Sequence, residues 1–102
     1  MSSDRFLGLL GIASGAKRLV FGLERSAAAV TDGKAALCIV AADLSPKSAK
    51  EAAFACSKRS TPCIKVGYTI EQLSHATGSR AGVIAVTDGG IAAKLTSLLN
   101  QA

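Results

Sequence analysis

Tryptophan is absent, aromatic residues make up only 4% of the chain, and there are two prolines in 102 residues. With so few rings, the chain has no row of platforms on which successive bases of a single strand could stack. Two prolines and ten glycines are too few for a collagen-like or linker-like chain. The three cysteines are an odd number without close pairing, which argues against a disulfide framework and fits a reducing compartment. A single histidine and three cysteines scattered along the sequence give no zinc-ligand spacing, so no metal and no other cofactor is expected. No apolar run approaches the roughly 20 residues of a spanning helix, so no membrane partner is expected.

What is present is a hydrophobic share of 49% against 19% charged residues, which excludes a disordered chain. The length fits one domain over residues 1–102. Twelve Lys and Arg against seven Asp and Glu leave a net charge of +5, an excess that favours a polyanionic partner. The start of the chain permits two readings. Arg5, the apolar stretch from Phe6 to Ala13 and the small residues Ser14, Gly15 and Ala16 mimic a signal peptide. The same residues read better as a first helix in a cytoplasmic protein. Asp4 is a good N-cap there, and Phe6, Leu9, Leu10 and Ala13 share one helical face. Gly8 and Gly11 weaken that helix by about 1 kcal/mol each relative to Ala.

Beyond it, helices and strands alternate. Leu19-Val20-Phe21 is a short strand, and after Gly22 a helix runs to about Asp32 with Leu23, Ala27 and Val30 on one face; Gly33 closes it. Ala36 to Ala42 is an uninterrupted apolar run, as in a strand covered on both sides. Ser45-Pro46 opens a third helix with Ala49, Ala52, Ala53 and Cys56 inward. Cys63 to Val66 is a strand whose Lys65 suggests an edge. Thr69 and Gln72 form a capping box for a fourth helix that Gly78 ends. Val83 to Val86 is the fourth strand, and Asp88 caps a last helix with Ile91, Leu95, Leu98 and Leu99 inward. Five helices alternating with four strands give an α/β fold, a sheet between helical layers.

Catalytic constellations are weak. Cys63, His75 and Asp88 could be drawn as nucleophile, base and orienting acid, but His75 reads as a surface residue and Asp88 as a helix cap. Cys38 and Cys56 sit in apolar stretches, where a free thiol acts as a small hydrophobe. Asp43 follows a strand and suits the turn into the third helix. Thr87-Asp88-Gly89-Gly90 opens a helix, but Asp88 would repel a phosphate there. No residue is therefore assigned a catalytic role. Among the basic residues, Lys17 and Arg18 precede the first strand, Lys34 follows the second helix and Arg80 falls in the loop before the fourth strand. Lys58-Arg59 ends the third helix, where the dipole favours positive charge. Arg25 is the reverse case, a cation in the first turn of a helix. It points to an external anion such as an RNA phosphate, or is a solvated surface arginine.

Several stretches together resemble one family over nearly the whole chain. They are Leu19-Val20-Phe21-Gly22, the run from Asp32 to Asp43, Thr61-Pro62-Cys63-Ile64, Gln72 to Gly78, and Val83 to Gly90. The pattern is similar to the L-seven-Ae type ribosomal proteins, the kink-turn RNA-binding superfamily, and most of all to its short bacterial YlxQ-like members. The resemblance implies a three-layer α/β/α sandwich with a mixed four-stranded sheet. It implies a non-enzymatic protein whose partner is structured RNA, such as ribosomal or other kink-turn-like RNA, in association with the ribosome or translation. It places RNA between Gly22-Leu23-Glu24-Arg25 and the loop Gly78-Ser79-Arg80-Ala81-Gly82, with Asp43 as an acid near the site. Helix N–H groups and Arg25 would meet phosphate or base edges, and Glu24 would accept from base amino or imino groups. Kink-turn binders carry Gly-Thr-Asn-Glu at this helix start and a Lys three residues on; here Leu23, Glu24, Arg25 and Ala28 stand instead. Their loop has a bulky aliphatic, an acid and a Val, against Ser79, Arg80 and Ala81. These departures leave open a protein-interaction module on the same scaffold.

Overall fold

The computed structural model describes residues 4–100. Its elements run α1 (Arg5–Gly15), β1 (Leu19–Phe21), α2 (Leu23–Thr31), β2 (Leu37–Val40), α3 (Pro46–Ser57), β3 (Cys63–Lys65), α4 (Ile70–Thr77), β4 (Val83–Val86) and α5 (Gly89–Leu99). The strand order is β1-β4-β2-β3, with β2 and β3 parallel and both other pairs antiparallel. The sheet is thus mixed and four-stranded, as the resemblance implies. The last strand in sequence lies at its centre.

Side chains alternate across β2 and β4 and so divide the interior in two. Leu37, Ile39, Ile84 and Val86 join Phe6, Leu10, Leu73 and Leu95 under α1, α4 and α5. Cys38, Val40 and Val83 join Val30, Ala52 and Cys56 under α2 and α3. Every residue of β2 and β4 is buried, which explains their unbroken apolar runs. The strand within Ala36–Ala42 is shorter than the run, because Ala36 and Ala41 pair at its ends with Val86 and Gly82 as single flanking hydrogen bonds. Lys65 is exposed on the edge strand β3, as its charge suggests. Two inward assignments need correction. Ala53 is exposed on α3, and the buried residues of α2 are Ser26, Ala29 and Val30, with Ala27 only half-buried. The α2 stripe is rotated because Ser26 turns inward to satisfy strand carbonyls.

The glycines of α1 differ in purpose. A Cβ on Gly11 would stand 2.9 Å from the Ala76 carbonyl oxygen, so its absence lets α1 and α4 approach closely. A Cβ on Gly8 would meet nothing. Gly8→Ala is therefore expected to raise stability by about 1 kcal/mol and Gly11→Ala to lower it, measured by urea unfolding.

Asp4 caps α1 through Leu7 N–H and also accepts from the Tyr68 hydroxyl. Tyr68 stacks on Phe6 with ring centroids 5.4 Å apart. The Tyr68 hydroxyl, then the Leu7 N–H, hold the Asp4 carboxyl below its ordinary value of 3.8. A group depressed in the folded state stabilises above its unfolded pKa, and that gain disappears as pH falls through the folded value. Asp4→Asn, which keeps a capping oxygen, should be less stable than the parent at neutral pH. The two should converge well below 3.8, as read from their unfolding midpoints in acid and at neutrality.

No helix among the described residues is long and apolar enough to cross a membrane.

Candidate functional site

The antiparallel pairings bring three chain segments to one end of the sheet. β1 ends where β4 begins, with Phe21 opposite Ile84. Gly22 N–H donates to the Val83 carbonyl at 2.8 Å, and Ala41 N–H donates to the Gly82 carbonyl at 2.9 Å. The start of α2, the loop leading into β4 and the end of β2 therefore adjoin. Gly22 has φ +100° and ψ 153°, a turn that glycine alone makes readily, and this conformation sends the chain from β1 straight into α2.

Four of the five described helices are capped by a side-chain oxygen: Asp4 on Leu7, Ser45 on Ser48, Thr69 on Gln72 and Asp88 on Ile91. At α2 the cap is Gly22, which has no side chain to offer. The first intrahelical donor is Ser26 N–H, to the Gly22 carbonyl. The amides of Leu23, Glu24 and Arg25 thus have no partner within the helix, and the positive end of the α2 dipole is open to an external acceptor. Glu24 and Arg25 are exposed beside it. Glu24 is the only acid in the first turn, where it complements the dipole.

On the facing loop, Gly78 closes α4 in the left-handed conformation, with φ +82°. Thr77 braces the next residues: its hydroxyl donates to the Leu73 carbonyl and accepts from Ser79 N–H. Ser14 of α1 donates to the Thr77 carbonyl at 2.8 Å. Arg80 is exposed and Ser79 half-buried. Gly82 sits where a Cβ would collide with Leu44 and Ile70, so the loop can lie close over them.

Of the residues singled out from sequence, Gly22, Leu23, Glu24, Arg25, Asp43, Ser79, Arg80 and Ala81 fall at this end. Lys17, Arg18 and Lys34 do not. Arg18 accepts from Thr87 just past β4, and Lys34 precedes β2 where Leu37 pairs with Val86. They stand about 10 Å away along the strands, at the other end of the sheet. Leu23 is half-buried against the α2–α3 core, and Ala81 is buried in the other core. Asp43 does not serve the turn into α3, which Ser45 caps; its carboxylate accepts from Ile70 N–H at 2.8 Å and so caps α4.

Sequence reading missed Ser26, the one buried polar residue among those described. Its hydroxyl reaches the Val20 carbonyl at 3.2 Å and the Val83 carbonyl at 3.5 Å, fixing α2 across β1 and β4. The signal lay in a serine one turn from Leu23 in an otherwise alanine-rich helix. Cys63, His75 and Asp88, set aside as a triad on sequence, are indeed apart. Cys63 packs in the α2–α3 core, whereas α4, which carries the exposed His75, lies on the opposite face. Asp88 caps α5. The cysteines, however, are not scattered in space: the sulfurs of Cys38, Cys56 and Cys63 all lie within 4.8 Å of one another. Hydrogen bonding with Cys38, then with Cys56, outweighs burial and holds the Cys63 thiol below its ordinary range, while the hydrogen bond with Cys63 and then burial push Cys38 up.

A family model described as ribosomal protein L7Ae/L30e/S12e/Gadd45 matches residues 4–96. The RNA-binding protein YlxQ of Bacillus subtilis (strain 168) is 34% identical over 101 residues, covering 98% of this chain and all of that one. A solved structure of a protein of unknown function from Bacillus halodurans C superposes with a TM-score of 0.91 at 31% identity, over 96% of this chain and 99% of that one. The Giardia lamblia 15.5kD RNA binding protein superposes with a TM-score of 0.79 at 20% identity, over 99% and 92%, and so shares the fold.

Proposed function

Because the chain belongs to the ribosomal protein L7Ae/L30e/S12e/Gadd45 family, we propose that it is a non-enzymatic protein that binds structured RNA in the cytoplasm, in the setting of the ribosome or translation. The observation that carries this reading is the uncapped start of α2, hydrogen-bonded through Gly22 to the first residue of β4 and flanked by Arg25. Free amides at a helix start attract an anion, and an arginine there adds a bidentate donor for phosphate or a purine edge. The loop from Gly78 to Gly82 lies at the same end and supplies Arg80 among otherwise small residues. Irregular RNA with a splayed nucleotide suits such a surface better than regular duplex, whose deep major groove side chains cannot read. A kink-turn fits that description, and is the RNA we assign to the site.

The protein-interaction reading has less support. It invoked Leu23 as an apolar contact, and Leu23 is packed into the core rim.

The test is fluorescence anisotropy with a kink-turn hairpin and with the same sequence closed into uninterrupted duplex, over a range of salt. The expected result is tighter binding of the hairpin, with log K falling by about 0.9 per phosphate contacted for each decade of salt. Equal binding of both RNAs removes the kink-turn assignment. Absence of RNA binding, with a protein partner captured through nuclease and high salt, removes the function itself.

A further inference from the structure

The β2–α3–β3 unit contributes one cysteine from each of its three elements to a single point. Cys38 and Cys63 are register partners on neighbouring parallel strands, and α3 lays Cys56 over them. The three Sγ atoms are all within 4.8 Å of one another. Given metal–sulfur bonds of ~2.3 Å, three sulfurs in a plane around one ion stand about 4.0 Å apart. The existing separations therefore need to close by less than about 1 Å.

We propose that Cys38, Cys56 and Cys63 form a binding site for one soft, thiophilic cation of the Cu(I) type. The choice of ion rests on the surroundings of the sulfurs. The cysteines share a buried cluster with Val30, Val40, Ala52 and Val83, none of which offers an oxygen or nitrogen ligand from its side chain. Among the described residues no fourth Cys, His, Asp or Glu joins the group. Hard cations need several oxygens, and structural zinc needs four ligands. Thiolate sulfur selects Cu(I), which is satisfied with fewer ligands. Apolar surroundings keep water and competing donors out. Cys63 supplies the way in: it is half-buried on the edge strand, while Cys38 and Cys56 are only 1% and 2% exposed. The least covered of the three, it is the first to meet an incoming ion. Binding releases thiol protons to solvent as thiolates bond to the metal. This site lies under α2 and α3 and does not depend on the RNA reading.

The experiment is an anaerobic titration of the full reduced chain with Cu(I) alone, in competition with a chromophoric Cu(I) chelator. One copper per chain should be withdrawn from the chelator, with a sulfur-to-copper absorption band and sulfur-only ligation by X-ray absorption. Cys63→Ser, at the accessible position, should bind more weakly by more than the ~10- to 100-fold that loss of a supporting contact costs. Copper should also raise the Tm of the parent chain, a readout that does not rely on any variant folding. Copper uptake equal in parent and folded Cys63→Ser, one copper shared between two chains, or an unchanged Tm at saturating copper overturns the site.

Discussion

Replacing Arg25 and Arg80 together by glutamate is expected to weaken binding of the kink-turn hairpin by roughly 1–3 kcal/mol for each arginine that reaches a base edge. For each that reaches only phosphate, the salt dependence should become shallower by about one unit. The two arginines stand on different segments, α2 and the loop before β4, which the Gly22–Val83 hydrogen bond joins. Neither is explained by local structure. Arg25 sits where the α2 dipole disfavours a cation, and Arg80 is exposed on a loop. The comparison variant is Lys17→Glu with Arg18→Glu, at the other end of the sheet. Both pairs lower the net charge by four, from +5. Long-range attraction through bulk charge would fall equally in both, so only a local contact separates them. A drop confined to the Arg25/Arg80 pair supports the site; equal drops reduce the interaction to net charge.

Gly22→Ala is expected to lower both stability and RNA affinity. At φ +100° and ψ 153° a side chain is strained by roughly 1–3 kcal/mol whatever the space around it. In a domain of this size that corresponds to roughly 4–8 °C in Tm for each kcal/mol. The strain falls on the residue whose amide ties α2 to β4 and whose carbonyl starts the helix. Relaxing it moves the free amides relative to the loop, so affinity should drop even where the protein remains folded. Gly67→Ala is the matched control: Gly67 has open space around it and no left-handed backbone. Its melting temperature and RNA affinity should stay near those of the parent. Full affinity in folded Gly22→Ala would dissociate the helix start from RNA recognition.

Much of the fold is legible in the sequence because local signals agree with the global arrangement. The capping box at Thr69 and Gln72, Pro46 at the start of α3 and the left-handed Gly78 each sit where the pattern puts them. Both central strands read as apolar runs because helices cover both faces. What spacing cannot give is which residues from distant segments meet. Ser26 looks like a helix-surface serine until β1 and β4 present two carbonyls to it. Asp43 looks like a cap for the helix just after it, yet it caps α4, whose first residue is 27 positions away. The cysteines are 18 and 7 residues apart in sequence and converge only because β2 and β3 are parallel neighbours bridged by α3. The site obeys the same rule. Gly22–Arg25 and Ser79–Ala81 come together through antiparallel pairing of β1 and β4, whereas Lys17, Arg18 and Lys34, equally basic, are carried to the far end by that same pairing.

The most direct measurement is a titration of the nitrogen-15-labelled protein with the kink-turn hairpin, monitored by amide NMR. The amides of Leu23, Glu24 and Arg25 should shift most, together with those from Ser79 to Gly82, while Lys17, Arg18 and Lys34 stay in place. Shifts centred on Lys17, Arg18 and Lys34, with the first turn of α2 unmoved, would contradict the account.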